Sequence, residues 1–223
     1  AERKMFDTKL YVVRHAQGMG NKLAEFHGQY NSDLTELGKK QAECTAEYLK
    51  DVKFDGAYSS DIARAYSTAC IIAKRHDGLE IVKNKLLREI DAGKWECMKF
   101  DDIEKNYPKE HEMFMKNLSE FVCPGGESVK QLHDRVKRGF DEIVKQNPGK
   151  TLLIASHATP IRCMLCDWKG LALSAITQLK WVPNASVSVV EYNSQTLETH
   201  LCETAYSEHL AKQGLVTELP SNI

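Results

Sequence analysis

The sequence has almost no excess charge and no long apolar run. Its 223 residues carry 30 lysines and arginines against 31 aspartates and glutamates, a formal net charge of -1. Nucleic acids and anionic membranes usually require a concentrated basic surface, which this balance does not provide. No apolar stretch approaches the roughly 20 residues that span a bilayer, and the N-terminal AERKMFDTKL lacks the core of a signal peptide. We therefore expect a chain that binds neither nucleic acid nor membrane.

Internal repeats and linker-like segments are also missing, which favours one domain over residues 1–223. The seven cysteines are an odd number, scattered from Cys44 to Cys202, unlike the dense framework of a small secreted protein. Cys163 and Cys166 form a C-x-x-C pair, but no second thiol pair lies at zinc-ligand spacing. The pattern favours buried thiols over a metal or redox site, and we expect neither a metal nor a cofactor. Reduced thiols also favour a cytoplasmic location. The sequence does not indicate the oligomeric state.

Short apolar runs recur along the chain. The runs at residues 9–13, up to Tyr58, at 80–82 and at 151–156 (TLLIAS) have the length and composition of buried strands. Toward the C-terminus, ASVSVVEYN and TLETHLCE have the alternation of a hairpin. The sequence therefore predicts four buried strands and a final pair of antiparallel ones.

Between these runs lie stretches with the apolar spacing of helices. Thr35 precedes the first stretch, Ser60 or Asp61 the second, and Ser128 with Gln131 forms a capping box ahead of a long third one. A fourth helix is predicted after TLLIAS. Strands that alternate with helices predict an α/β fold, a three-layer α/β/α sandwich with a mostly parallel central sheet.

The segment at residues 91–124 interrupts this alternation. It contains Trp95, several lysines and short helical pieces without a clear period. We expect a small helical cap inserted into the single domain.

Two arginines and two histidines follow predicted strands. Arg14 and His15 end the first strand, Arg64 lies in the first turn of a helix, and His157 directly follows TLLIAS. Ligands of parallel sheets bind beyond the carboxyl ends of the strands, where such residues meet. Guanidinium groups match phosphoryl oxygens, and imidazole can attack phosphorus covalently. The pattern predicts a phosphate pocket with His15 as its nucleophile.

The motifs around these residues resemble those of the histidine phosphatase superfamily, which has the phosphoglycerate mutase-like fold. RHAQGMGN is similar to its first-strand signature, SDLTELG to its Asp-x-x-Leu-Thr-x-x-Gly turn, and SSDIARAYSTA to its second-arginine helix. LLREIDAGKWE is similar to its acid segment, PGGES to its Gly-Glu-Ser motif, and IASHATPIR to its second-histidine strand. The six motifs follow the family order from Leu10 to Arg162.

This resemblance implies a metal-independent phosphomonoesterase, of the phosphatase branch, that acts on small phosphorylated metabolites. It implies that His15 becomes phosphorylated and that Glu89 protonates the leaving oxygen and then activates water. The residues that would hold the transferring oxygens are Arg14, Asn21, Arg64 and His157. The resemblance further implies that substrate selectivity comes from the cap, for which we predict Lys94, Trp95, Lys99 and Phe100.

Two alanines depart from the family pattern. Ala16 and Ala158 stand where glycine is more usual. Alanine tolerates positive φ less well than glycine, so the loops either use ordinary backbone angles at both positions or carry some strain.

Two other functions remain as alternatives. Mutases of the superfamily carry a longer insertion after the acid segment than residues 90–123 provide, so hydrolysis is favoured over a cofactor-dependent phosphoglycerate mutase. The other alternative is an inactive module that binds phospho-ligands or proteins, because a fold does not determine a function. The joint presence of Arg14, His15, Arg64, Glu89 and His157 argues against that module.

Overall fold

Six strands form one mixed sheet in the computed structural model, which describes residues 5–218. The strands are β1 Thr8–Arg14, β2 Gly56–Ser59, β3 Ile81–Lys83, β4 Thr151–Ser156, β5 Val187–Tyr192 and β6 Thr199–Tyr206. Their order is β3-β2-β4-β1-β5-β6. The first four pair in parallel, whereas β5 lies antiparallel to β1 and β6 antiparallel to β5. The sheet is mostly parallel and ends in the predicted hairpin.

Helices cover both faces of this sheet. They are α1 Met19–Leu23, α2 Glu36–Tyr48, α3 Ala63–Ala73, α4 Phe100–Asn106, α5 Pro108–Lys116, α6 Val129–Gln146, α7 Ala158–Trp168 and α8 Glu208–Ala211. In β1, Leu10 and Val12 pack in one apolar cluster with residues of α6 and α7, whereas Val13 packs in another with residues of α2 and α3. Successive side chains of a strand point to opposite faces, so the two clusters mark two helical layers. The predicted three-layer sandwich is confirmed.

Two of the predicted helix starts agree with the structure. The hydroxyl of Thr35 accepts a hydrogen bond from the backbone N–H of Gly38 at 3.0 Å and caps α2. Ser128 and Gln131 form the predicted capping box, with reciprocal distances of 3.0 and 2.9 Å. These caps satisfy backbone donors that would otherwise lack partners at the helix start.

The predicted start of α3 is wrong. Ile62 precedes this helix, and no side chain caps it. Asp61 instead forms an ion pair with Arg88, with a 2.6 Å contact, and the hydroxyl of Ser60 lies 2.8 Å from Nε2 of His157. Both residues therefore connect neighbouring segments and do not cap α3.

Residues 91–124 fold into two short helices, α4 and α5, flanked by 3₁₀ turns. Their core is aromatic: Trp95 is fully buried, with ring centroids 4.9 Å from Phe121, 5.7 Å from Phe26 and 5.9 Å from Phe114. Phe26 belongs to the loop after α1, so the segment packs against the loop that follows the first strand. This contact brings the segment to the edge of the sheet where β1 ends.

Within residues 5–218, no helix has the length and apolar character needed to cross a membrane. The seven cysteines are all unpaired, and Cys163 and Cys166 are buried in α7.

Candidate active site

A cavity opens at the carboxyl edge of the parallel strands. Its lining includes four buried residues with titratable side chains, Arg14, His15, Arg64 and Glu89, and we call them the buried half of the cavity. Arg14 pairs in register with Ser156, so β1 and β4 end at the same level and deliver their following residues to one place. The strand-end rule thus brings together the residues that the sequence singled out.

The ring of His15 is held in one orientation. Its Nδ1 lies 2.7 Å from the backbone carbonyl of Ala16. A carbonyl oxygen only accepts, so Nδ1 carries the proton and Nε2 keeps its lone pair. Burial, together with the charges of Arg64 and Arg14, holds the pKa of His15 well below its usual value. The histidine is therefore neutral at neutral pH, with an unshared electron pair on Nε2.

Arg14 lies beside this ring and is 2% exposed. One terminal nitrogen donates to the carbonyl of Val182 at 2.5 Å, and the guanidinium stacks 5.0 Å from the ring centroid of Trp181. Its Nε atom is buried without a hydrogen-bond partner among the described residues. Burial lowers the pKa of Arg14 to about 9, so the group remains a cation at neutral pH with a donor to spare for an anion.

Arg64 supplies the second positive charge. Its guanidinium donates to three loop carbonyls, those of His27, Gly28 and Tyr30, at 2.9, 2.6 and 2.8 Å. Burial lowers its pKa to about 10. The arginine is thus a fixed cation that also fastens the loop after α1 to the site.

His157 lies behind His15, and the ring centroids are 5.1 Å apart. Its side chain is fully buried and is not among the residues that line the cavity. Nε2 contacts the hydroxyl of Ser60 at 2.8 Å, whereas Nδ1 is buried without a partner in the described part of the chain. Burial, with the charge of Arg64 next in size, holds the pKa of His157 well below its usual value.

Glu89 enters the cavity from the segment after β3 and is 7% exposed. Its carboxylate accepts hydrogen bonds from the backbone N–H groups of Ile90 at 2.7 Å and of Thr159, in the first turn of α7, at 3.2 Å. Burial raises the pKa of Glu89 above its ordinary value, although these donors act in the opposite direction. A buried carboxyl of this kind can hold a proton at a higher pH than an exposed one.

Asn21 also lines the cavity. Its Oδ1 accepts from the backbone N–H of Gly18 at 3.0 Å and lies 3.4 Å from the side-chain nitrogen of Asn184. Since the oxygen is engaged, the amide N–H groups are what Asn21 has to offer a ligand.

The two alanines use ordinary backbone angles, which is the first of the two expected alternatives. Neither Ala16 nor Ala158 is among the described residues with positive φ. Ala16 donates its backbone N–H to the hydroxyl of Thr68 at 3.0 Å, and Ala158 is the first residue of α7.

The more open part of the cavity differs from the prediction. Of the four cap residues predicted to meet a substrate, Phe100 lines the cavity, whereas Lys94, Trp95 and Lys99 are absent from its lining. Trp95 is buried in the aromatic core, and the two lysines are exposed. Eight lining residues are less buried. Five of them we call the rim, Glu25, Phe114, Trp181, Thr217 and Glu218; the other three are Asn21, Ala24 and His27. The sequence analysis missed all five, because they belong to segments without a clear period.

Arg135 of α6, which the sequence analysis also missed, supports the site. Arg135 pairs with both carboxylate oxygens of Glu127 at 2.9 Å. It also donates to the backbone carbonyls of Leu86, Arg88 and Glu89 at 2.8, 3.0 and 3.2 Å. The pair therefore clamps the segment that carries Glu89. The described residues contain no group of three or more His, Cys, Asp or Glu side chains placed to hold a metal ion.

This fold, with a neutral histidine and two fixed arginines at one strand edge, is that of a phosphoryl-transfer enzyme. The family model described as histidine phosphatase superfamily (branch 1) matches residues 10–204, and the chain belongs to this superfamily. The predicted family is confirmed, and the chain is an enzyme of the histidine phosphatase type.

Known proteins similar to this chain include a phosphatase and a phosphoglycerate mutase. Phosphoserine phosphatase 1 of Hydrogenobacter thermophilus is 35% identical over 182 residues, which are 82% of this chain and 85% of that protein. The solved structure of Bacillus stearothermophilus YhfR has a TM-score of 0.86 and 25% identity, and the match covers 91% of this chain and 99% of YhfR. That of a phosphoglycerate mutase from Bacillus anthracis str. Sterne has a TM-score of 0.81 and 25% identity, covering 95% of this chain and 100% of the mutase.

Proposed function

We propose that this enzyme hydrolyses monoesters of small phosphorylated metabolites through a covalent phosphate on His15, without a metal ion. The observation that carries the proposal is the arrangement of His15, whose Nδ1 is tied to a carbonyl and which lines one cavity together with two arginines. The similarity to a phosphoserine phosphatase supports hydrolysis as the net reaction.

In the first step, Nε2 of His15 attacks phosphorus and the bond from phosphorus to the ester oxygen breaks. Glu89, in its protonated form, gives its proton to the departing oxygen, so that a neutral alcohol leaves. The guanidinium groups of Arg14 and Arg64 balance the charge on the phosphoryl oxygens.

In the second step, water attacks the phosphorus of phospho-His15. The Glu89 carboxylate takes a proton from this water, the bond from nitrogen to phosphorus breaks, and its electron pair returns to Nε2. Inorganic phosphate leaves, and the enzyme is restored with His15 neutral and Glu89 protonated.

The remaining site residues have supporting roles in this proposal. Asn21 donates to a phosphoryl oxygen with its amide N–H. His157 is assigned a contact with a transferring oxygen on account of its ring, whose centroid lies 5.1 Å from that of His15. Because this side chain is fully buried, the contact requires the His157 ring to leave the hydroxyl of Ser60 when substrate binds. Residues 91–124 act as a cap over the single domain, because they supply Phe100 and Phe114 to the cavity. The unpaired cysteines support a cytoplasmic location.

A phosphoglycerate mutase is the second candidate, since a solved mutase shares the fold along its whole length. The cavity favours hydrolysis, because none of its described lining residues is a lysine and both described lining arginines belong to the buried half. A phosphoglycerate would therefore bring a carboxylate that finds no free cation in the described lining.

The test is phosphate release from a panel of monoesters, including O-phosphoserine and 3-phosphoglycerate, beside a mutase assay with 2,3-bisphosphoglycerate. Wild type and His15→Ala are assayed with and without a metal chelator. We expect metal-independent phosphate release that is lost in His15→Ala, and no isomerisation. Isomerisation without net release would establish the mutase, and full activity of His15→Ala would contradict the covalent route.

A further inference from the structure

The charges that line the cavity are divided between its two parts. Both lining arginines, Arg14 and Arg64, belong to the buried half, where the proposed reaction uses them on the phosphoryl group. The rim contributes two carboxylates, Glu25 and Glu218, and no described rim residue is a lysine or an arginine. A ligand that complements this cavity is negative at its buried end and positive at the rim.

Glu25 is held in place by a chain of contacts. Its Oε2 accepts from Nε2 of His27 at 2.8 Å, and Nδ1 of that ring lies 2.9 Å from the hydroxyl of Ser32. The Glu25 side chain is 20% exposed, so the carboxylate is oriented yet remains accessible to a ligand. Arg64 binds the carbonyl of the same His27 at 2.9 Å, which ties the position of this carboxylate to the phosphate-binding arginine.

Glu218 reaches the cavity at the end of the C-terminal segment. The side-chain nitrogen of Gln41 donates to the carbonyl of Leu215 at 2.7 Å and lies 2.8 Å from the hydroxyl of Thr217. Gln41 belongs to α2 and also accepts from the backbone N–H of Gln17 at 2.8 Å. The segment is therefore anchored to the loop that follows His15, and Thr217 and Glu218 line the cavity from there.

Aromatic rings complete the wall between the two ends. Phe100 and Phe114 both line the cavity, and each lies within 5.8 Å of the ring centroid of Phe26. Aromatic faces attract ammonium groups and contribute nothing to an anion. The buried end, in contrast, has the Nε atom of Arg14 without a partner among the described residues, which indicates an anion there.

Building on the proposed function, we propose that the preferred substrates are phosphomonoesters of small amino alcohols, with Glu25 receiving the ammonium group and Glu218 adding to the negative potential. A second anionic group on the substrate, such as a carboxylate or another phosphate, meets the two carboxylates without a compensating cation. The rim thus selects substrates by the charge of the leaving alcohol.

Three esters of similar length isolate this charge: phosphoethanolamine, n-propyl phosphate and phosphoglycolate, whose far ends are positive, neutral and negative. For wild type we expect kcat/KM for phosphoethanolamine to exceed that for n-propyl phosphate by about tenfold, and phosphoglycolate to be the poorest of the three. In Glu25→Gln the ratio of the first two should fall to about threefold or less. Glu218→Gln should lower the same ratio by a smaller factor, because its side chain is exposed.

The matched control is Glu112→Gln, an exposed carboxylate on α5 that pairs with Lys116. It should keep the wild-type ratio. Equal kcat/KM for the three esters, a preference for phosphoglycolate, or an unchanged ratio in Glu25→Gln would overturn the inference, as would turnover of p-nitrophenyl phosphate alone. Absence of phosphate release from all four compounds would instead contradict the proposed function.

Discussion

The buried half of the cavity and its rim are built in different ways. In the buried half, His15 and Arg64 are fixed by backbone carbonyls, and Glu89 by backbone N–H groups. His15 directly follows β1, Arg64 lies in the first turn of the helix after β2, and Glu89 lies in the segment after β3, so all three belong to connections that leave the parallel strands. The rim draws on the loop after α1, the cap helices and the C-terminal segment, and most of its side chains are only partly buried. The connections after the parallel strands therefore position the residues of the proposed reaction, whereas separate segments position the residues of the rim.

This comparison has a kinetic consequence. A substitution in the buried half should slow the reaction of every substrate, because each one passes through the same phosphoryl transfer. A substitution in the rim should mainly change which substrate is preferred. Substitutions in the two parts of the cavity test this division.

The largest effect that we predict here is that of Glu89→Gln. On alkyl phosphates kcat/KM should fall about 10²- to 10⁴-fold, because the departing oxygen loses its proton donor. On aryl phosphates the fall should be much smaller, since a phenolate leaves without protonation. Equal losses on both ester types would argue against Glu89 as the acid.

The pH profile gives a second readout of the same residue. Attack requires neutral His15, whose pKa is lowered, so the acid limb of kcat/KM should lie below the ordinary histidine value of 6.5. Departure requires protonated Glu89, whose pKa is raised, so the alkaline limb should lie above the ordinary glutamate value of 4.5. The alkaline limb should disappear in Glu89→Gln while the acid limb remains; an alkaline limb that survives would belong to another group.

The next largest effect should be that of Arg64→Gln, which removes a fixed cation from the phosphoryl group. We expect kcat to fall about 10²- to 10³-fold for all esters. Arg64→Lys should recover only part of this, because the three N–H donors of lysine cannot serve the three loop carbonyls and the phosphoryl group together. The matched control is Arg75→Gln, whose exposed side chain pairs with Glu47. A loss no greater than that of the control would remove Arg64 from the site.

A smaller effect should follow Arg135→Lys, which acts through the position of Glu89. Lysine loses the forked contact with Glu127 and the carbonyls of the Glu89 segment, so kcat/KM for alkyl phosphates should fall about tenfold. The loss on aryl phosphates should be smaller, which a general loss of stability would not produce. Arg138→Lys, at an exposed position of α6, serves as the control. The same loss on both ester types would assign Arg135 a structural role only.

The smallest effect should be that of Phe100→Leu in the cap. We expect KM to rise roughly threefold for esters with bulky alcohols, because part of an apolar wall is removed. An unchanged kcat would show that Phe100 contributes to substrate binding and not to phosphoryl transfer. A large fall in kcat instead would show that the cap takes part in the chemistry and would break the comparison.

The buried half was largely predictable from sequence. The apolar runs that became β1 and β4 predicted two strand ends, and parallel pairing required His15 and His157 to meet there. Glu89 was different: it follows a 3₁₀ turn rather than a strand, and only the family motif identified it. The absence of His157 from the described cavity lining was not predictable, because its burial depends on Ser60 and on the ring of His15.

The rim and the residues that surround the site were not predictable from the sequence, for physical reasons. The cap has short helices without a strong apolar period, so the sequence could not show that Lys94 and Lys99 face solvent. Arg135 binds backbone carbonyls far along the chain, and such contacts leave no pattern in the residue types. Glu25 and Glu218 line the same cavity because Arg64 holds the segment of the first and Gln41 of α2 holds the segment of the second.

Trapping the phosphoenzyme tests the central claim most directly. Glu89→Gln is mixed with a radiolabelled aryl phosphate and quenched in alkali, in which phosphohistidine survives. The first step proceeds without the acid, whereas the second lacks its base, so label should accumulate toward one phosphate per chain, on the peptide that contains His15. Glu89→Gln combined with His15→Ala should take up none. Turnover without any trapped label, or label on another residue, would contradict the account.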